Sequence, residues 1–172
     1  FASREEKLRH QAHFGVLQEY ARSGKLNELI LLSNKSLLEQ IGAGPIRKYY
    51  EKVNHYIYST FQNINYCENV DQDFGKIHEP KEISRISTIG YNSLEGEEVL
   101  LFPLDNITES CYYINVDEED LDNDEGILPT CQQIVRENNG LERHSSFAIW
   151  KSSEAENNYY VKHYTHHIQE SK

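Results

Sequence analysis

Three kinds of residue in this chain have types and spacings that could do chemistry: a run of carboxylates, a cluster of histidines and a set of cysteines. The carboxylates are the densest. Asp117, Glu118, Glu119, Asp120, Asp122, Asp124 and Glu125 place seven acids in nine residues with no base among them. Oxygen-rich segments of this kind bind calcium, and Asp120, Asp122 and Asp124 have the alternate spacing of an EF-hand loop. That loop needs glycine where Glu125 stands and a bidentate glutamate where Cys131 stands, so the motif fails. Three readings stay open: an irregular calcium site, a docking surface for a basic partner and a solvated loop.

His163, His166 and His167 form the second cluster, with Glu170 nearby. On a strand, His163 and His167 share a face but lie about 13 Å apart, too far for one metal ion, and His166 points the other way. A zinc site would need further ligands such as His10 and His13, three apart on a helix. The cluster reads as surface histidines, and no metal site is assigned. Cys67, Cys111 and Cys131 are an odd set without zinc-ribbon spacing. One disulfide plus a free thiol and three reduced core thiols fit equally well. The chain has no Gly-x-Ser-x-Gly elbow, no Gly-rich phosphate loop and no His-Glu-x-x-His helix. Gly42-Ala43-Gly44-Pro45, with Arg47 and Lys48 following, could hold an anion at a helix start, but reads as a bend between helices. No residue is therefore assigned a catalytic role, and no cofactor is expected.

The elements that must position these groups fall into two kinds. Ser3 and Glu6 have capping-box spacing and open a helix over about 4–22, with Gly24 as its stop. Its expected inner face is Leu8, Ala12, Val16, Leu17, Tyr20 and Ala21. A short helix is expected over 26–32, then one capped by Ser36 and Glu39. A longer helix starts at Pro45, with Ile46, Tyr49, Tyr50, Val53, Ile57 and Phe61 on one side. Beyond it the pattern becomes β. Ile83, Ile86 and Ile89 lead through Gly90 to a turn at Ser93-Leu94-Glu95-Gly96 and a return strand over 99–104. Residues 111–116 read as a third strand. A helix over 127–139 follows, stopped by Asn139-Gly140, and then a hairpin of 146–151 and 159–168 joined through Ser152 to Asn158. The fold class this implies is α+β: N-terminal helices packed on a curved, mostly antiparallel sheet, with one further helix before the C-terminal hairpin. Residues 1–172 read as a single domain, helical over 1–62 and mainly strand over 76–168.

Charge follows the same division. Residues 1–62 carry nine Lys/Arg against six Asp/Glu, and residues 63–172 carry eight against twenty-two, for a net charge of −11. Such an acidic strand half disfavours nucleic acid, whose binding by counterion release needs positive charge. No apolar run approaches the length of a membrane span, and the chain reads as soluble. Methionine is absent, position 1 included, which suggests a removed presequence or an excised domain, with an exported or periplasmic location favoured.

The stretch from Val16 to Tyr50 carries a resemblance. Tyr20-Ala21-Arg22-Ser23-Gly24-Lys25-Leu26, then Gly44-Pro45-Ile46-Arg47-Lys48-Tyr49-Tyr50, followed by antiparallel strands, resembles the cystatin-like cone of nuclear transport factor two-like domains. It covers about a third of the chain. The resemblance implies a cone-shaped pocket or dimer surface and carries over no site residue. The leading functional expectation is a non-catalytic binding or interaction domain. Its acidic loop (Asp117, Glu118, Glu119, Asp120, Asp122, Asp124, Glu125), with Tyr112 and Tyr113, would dock a basic protein partner or a small ligand. The alternative is a small hydrolase or isomerase using histidine and carboxylate groups in the cone, marked by a buried His–carboxylate pair. Homo-oligomers are compatible with either.

Overall fold

The computed structural model describes residues 3–42, 44–94, 98–137, 143–152 and 157–170. Ala43, the Glu95-Gly96 part of the expected turn, the Asn139-Gly140 stop and the 153–156 part of the last connection lie outside them.

The helices form largely where capping and periodicity place them. Helix α1 spans Arg4–Arg22, with Ser3 and Glu6 making the reciprocal capping box, and Gly24 follows with φ 77°. Helix α2 spans Asn34–Ile41 and is capped by Ser33, whose side chain accepts from the Ser36 amide. The cap therefore sits one turn before the Ser36–Glu39 pair. Helix α3 runs over Ile46–Asn69, longer than its expected end near residue 62. It buries Val53, Thr60, Ile64 and Cys67, whereas Tyr50 and Phe61, expected inside, are exposed. A rotated stripe buries small and branched residues, with Tyr49 and Tyr56 packed at its edge and Tyr50 and Phe61 outside.

The expected helix over 26–32 is instead strand β1, Leu29–Ile30, running parallel to β3, Ile86–Ser93. Its local helix preference yields to sheet pairing, in which the Leu29 and Leu31 amides donate to the Arg85 and Ser87 carbonyls at 2.8 and 2.7 Å. The remaining strands are β2 (Phe74–Lys76), β4 (Val99–Leu100), β5 (Glu109–Asp117), β6 (His144–Ser152) and β7 (Asn158–Thr165). Between β5 and β6 lie α4 (Glu118–Asn123) and α5 (Ile127–Glu137). All seven strands join one sheet in the order β1-β3-β7-β5-β6-β2, with β4 paired to β3.

Two features of this sheet correct the expected architecture. Strands β6 and β7 are not a hairpin: they flank β5 on opposite sides, β6 parallel and β7 antiparallel to it. Parallel pairing needs a crossover, and the acidic segment and the helix after it supply that crossover. The sheet is therefore mixed, and both of its faces are covered. On one face Val53, Ile64 and Cys67 of α3 and Leu37 of α2 meet Tyr113, Trp150, Tyr160 and Tyr164. On the other, Ile127, Cys131 and Val135 of α5 meet Tyr112, Ile114, Ile149 and Val161. Ala21 of α1 joins Leu31, Ile86 and Phe102 in a third cluster at the β1 end. Strands β5 and β7 are accordingly buried along nearly every residue, as expected of a sheet sandwiched between helices.

Candidate functional site

A cavity of about 660 Å³ opens where α3 ends over the sheet. Its floor is Cys111 and Tyr113 of β5, Trp150 of β6 and Tyr164 of β7; its rim is the end of α3 through Gln72 and the stretch from Lys76 to Pro80. Tyr113 and Trp150 stack with centroids 5.8 Å apart. The size and the aromatic floor suit a small molecule with a planar apolar part.

Beneath this cavity lies a buried cation. Lys162, with its side chain 8% exposed, meets Glu28 at 3.1 Å and Glu68 at 3.2 Å. The Tyr113 hydroxyl also donates to Glu68 at 2.8 Å, and Ser87 donates to Glu28 at 2.5 Å. Burial pulls the Lys162 ammonium down, but the two carboxylates outweigh it and hold the pKa above the ordinary lysine value. The triad ties the segment after α1, the end of α3 and the sheet centre together. Burial also pushes the thiols up, Cys111 to about 11 and Cys67 to about 12, so neither is a thiolate near neutrality. The cavity can bind, but it presents no activated nucleophile.

A second polar centre lies on the opposite face. Ser110 and His163 are direct cross-strand partners of β5 and β7, and each is 1% exposed. Ser110 Oγ lies 2.8 Å from His163 Nδ1, and His163 Nε2 lies 3.0 Å from a Glu98 oxygen. Arg143 Nε donates to Ser110 Oγ at 2.7 Å. One Arg143 terminal nitrogen is 2.8 Å from Nδ1 and 3.4 Å from Nε2; contact with both ring nitrogens places it over the imidazole face, leaving the in-plane side of Nδ1 to Ser110. The proton consistent with these partners sits on Nε2, facing Glu98. Tyr159 donates to the same carboxylate at 3.2 Å. Burial pulls the His163 pKa down more than Glu98 raises it, and the imidazole is neutral. Burial pushes the Glu98 carboxyl up, but hydrogen bonds from His163 and Tyr159 win and keep it below the usual value.

Serine, histidine and carboxylate thus stand in the order of a nucleophilic relay. Their burial denies a substrate access to Oγ, and the arrangement works as a clasp. It fixes the starts of β4 and β6 through Glu98 and Arg143. The surface reading of the histidines is corrected for His163, while His166 and His167 lie past the end of β7 with rings 4.1 Å apart. The buried His–carboxylate pair that would mark a hydrolase is present, but in a packed face and not in a concave pocket.

The acidic run is partly helix. Asp117 caps α4 by accepting from the Glu119 amide, Glu118 pairs with Lys151 at 2.6 Å, Asp120 accepts from Asn157 and Asp124 accepts from the Gly126 amide. The acids also face the helix start, where carboxylates are favourable. Tyr112 and Tyr113 are 0% and 2% exposed and point to opposite faces of the sheet. The structure does not bring these tyrosines to the acids as one surface. Among the described residues no three His, Cys, Asp or Glu side chains converge as metal ligands, and the three cysteines are unpaired and buried. No helix among them is long and apolar enough to cross a membrane.

No protein-family model matches the chain, and no curated protein sequence does. Solved structures do match its fold. The FtsZ dimer of M. jannaschii superposes with TM-score 0.62 at 11% identity, over 96% of this chain and 55% of that one. GDP-form protofilaments of TubZ from Bacillus thuringiensis serovar israelensis give 0.63 at 15%, over 95% and 50%. GDP-bound monomeric CetZ1 of Haloferax volcanii gives 0.53 at 17%, over 86% and 47%. The fold is therefore of the FtsZ, TubZ and CetZ kind, and this chain spans about half the length of those proteins. The likeness overturns the cystatin-like, nuclear transport factor two-like resemblance. It also overturns the function expected from the acidic run and its neighbouring tyrosines, a non-catalytic domain docking a basic protein partner or a small ligand. The physical reason is the sheet: a cone keeps a concave face open, whereas this sheet contains a parallel crossover and carries helices on both faces.

Proposed function

We propose that this chain is the assembly body of a guanine-nucleotide-dependent polymer, self-associating head to tail in the manner of filament-forming proteins. The observation that carries the reading is the agreement of nearly the whole chain with FtsZ and TubZ, which are described as a dimer, as protofilaments and as a two-stranded filament. Nucleotide enters through the same proteins, since TubZ is known in GDP and GTPγS forms. The chain's own contribution is a sheet covered by helices on both faces and clamped internally by Lys162 and by His163. Such internal ties suit a subunit that repeats along a filament. High-speed pelleting with negative-stain microscopy tests the proposal. With GTPγS the protein enters the pellet as elongated particles in a concentration-dependent way. A protein that stays in the supernatant as monomer with GTPγS, with GDP and without nucleotide overturns it.

A further inference from the structure

Two surfaces at opposite edges of the sheet are complementary in charge, and each exposes apolar side chains. At the β1 edge, α1 contacts β1 and β3 through its C-terminal half, where Gln18 and Ala21 are buried. Its N-terminal half is different: every residue from Arg4 to His13 is exposed. A helical segment of ten residues this exposed is marginal in water by itself, because helix stability in proteins comes mainly from a packed face. This arm presents Leu8, 56% exposed, flanked in sequence by Lys7 and Arg9, with Arg4 one turn before it. Of its two acids, Glu6 is engaged in the capping box with Ser3.

At the far edge, β2, α4 and the start of α5 enclose a groove of about 310 Å³. Its apolar walls are Phe74, Leu121, Ile127, Leu128 and Ile149, and its rim carries Asp73, Asp122 and Asp124. The nearby Lys151 pairs with Glu118 and also lies within electrostatic reach of Asp73 and Asp122, so one cation serves three carboxylates. The groove has room for one branched aliphatic side chain and the stems of basic neighbours, whose charged heads would reach the aspartates.

We propose that the exposed half of α1 from one copy of this chain docks in the β2–α4–α5 groove of the next, with Leu8 in the apolar pocket and Lys7 and Arg9 on the aspartate rim. The inference rests on the self-association proposed above and names its surfaces. Because arm and groove lie at opposite ends of the strand order, the contact is heterologous. Each copy offers one arm and one groove, and the series stays open. The occupant follows from charge: the helical part of this chain is net positive and the part holding the groove is strongly negative.

Disulfide trapping tests the contact. The three native cysteines are buried, so Leu8→Cys combined with Leu128→Cys introduces the accessible thiols. Oxidation of the double variant in the full chain gives a ladder of disulfide-linked oligomers on non-reducing gels, and neither single variant gives more than a linked dimer. Lys7→Glu with Arg9→Glu, on surface positions that leave the circular dichroism spectrum unchanged, weakens association about tenfold. A double variant that links only within one copy overturns the inference. So does undiminished assembly of the charge-reversed protein without a ladder, which leaves polymer formation intact and refutes these surfaces alone. A wild-type chain that never associates refutes polymer formation as well.

Discussion

The two faces of the sheet solve the same problem differently. Each buries an ionisable side chain contributed by β7, Lys162 on the α3 side and His163 on the α5 side. Lys162 keeps its charge because Glu28 and Glu68 surround it, and Glu68 reaches an open cavity. His163 gives up its charge and is sealed among Glu98, Arg143, Ser110 and the ring of Tyr112. One centre is an ion triad in contact with a cavity; the other is a neutral imidazole under full cover. Neighbouring residues on one strand can hold such opposite states because alternation sends their side chains to opposite faces.

The comparison breaks most visibly at the triad. Replacing Lys162 by Met leaves two carboxylates without their cation and should lower stability in urea unfolding. The loss should be less than the cost of breaking a fully buried pair, about 3–5 kcal/mol, because Glu28 and Glu68 are 27% and 39% exposed. Adding Glu28→Gln and Glu68→Gln to that variant should recover much of the loss, because the destabilisation comes from uncompensated charge. If the single Lys162→Met variant is as stable as wild type, the triad is not what joins α3 to the sheet.

The sealed face should respond to acid through His163. With the histidine pKa lowered in the folded chain, the unfolded chain takes up a proton first as the pH falls below its ordinary value of about 6.5. Stability is then complete above that pH and declines below it, with a slope of at most about 1.4 kcal/mol per pH unit for one proton. Glu98, with its pKa lowered, adds a further loss at lower pH, as the medium becomes acid enough to protonate it. Unfolding free energies of wild type and His163→Gln between pH 7.5 and 5.5 check this, and the two curves should converge toward acid. Parallel curves would mean that His163 is not held neutral.

A smaller effect separates the capping of α1 from the stability of the body. Ser3→Ala should cost about 1 kcal/mol of helix stability, and because Arg4 to His13 are exposed the loss should appear as faster amide exchange in that segment with the global midpoint unchanged. A drop in the midpoint would show that the arm packs on the body.

How much of this was legible beforehand depended on range. The bounds of α1 and its Ser3–Glu6 cap are local, and the sequence shows them directly. The strands around Ile86, Cys111 and Trp150 announce themselves through β-branched and aromatic runs. Pairing is not local. Nothing near Ser146 or Tyr159 says that β5 lies between them, so adjacency in sequence read as a hairpin. For the same reason neither centre could be found: Ser110 meets His163 across 53 residues, and Lys162 meets Glu68 across 94. The one available signal was position, since a lysine and a histidine side by side in an otherwise apolar strand would both be buried in a doubly covered sheet. The acidic run drew attention by composition, yet several of its members serve as caps and local acceptors. Its density reflects a crossover that starts with a short helix.

Sedimentation velocity over a concentration series, with GTPγS present, tests the central claim most directly. Open head-to-tail association predicts a weight-average sedimentation coefficient that keeps rising with concentration and reaches no plateau. A single boundary at the monomer value across the series, or a plateau at a closed dimer, would contradict it.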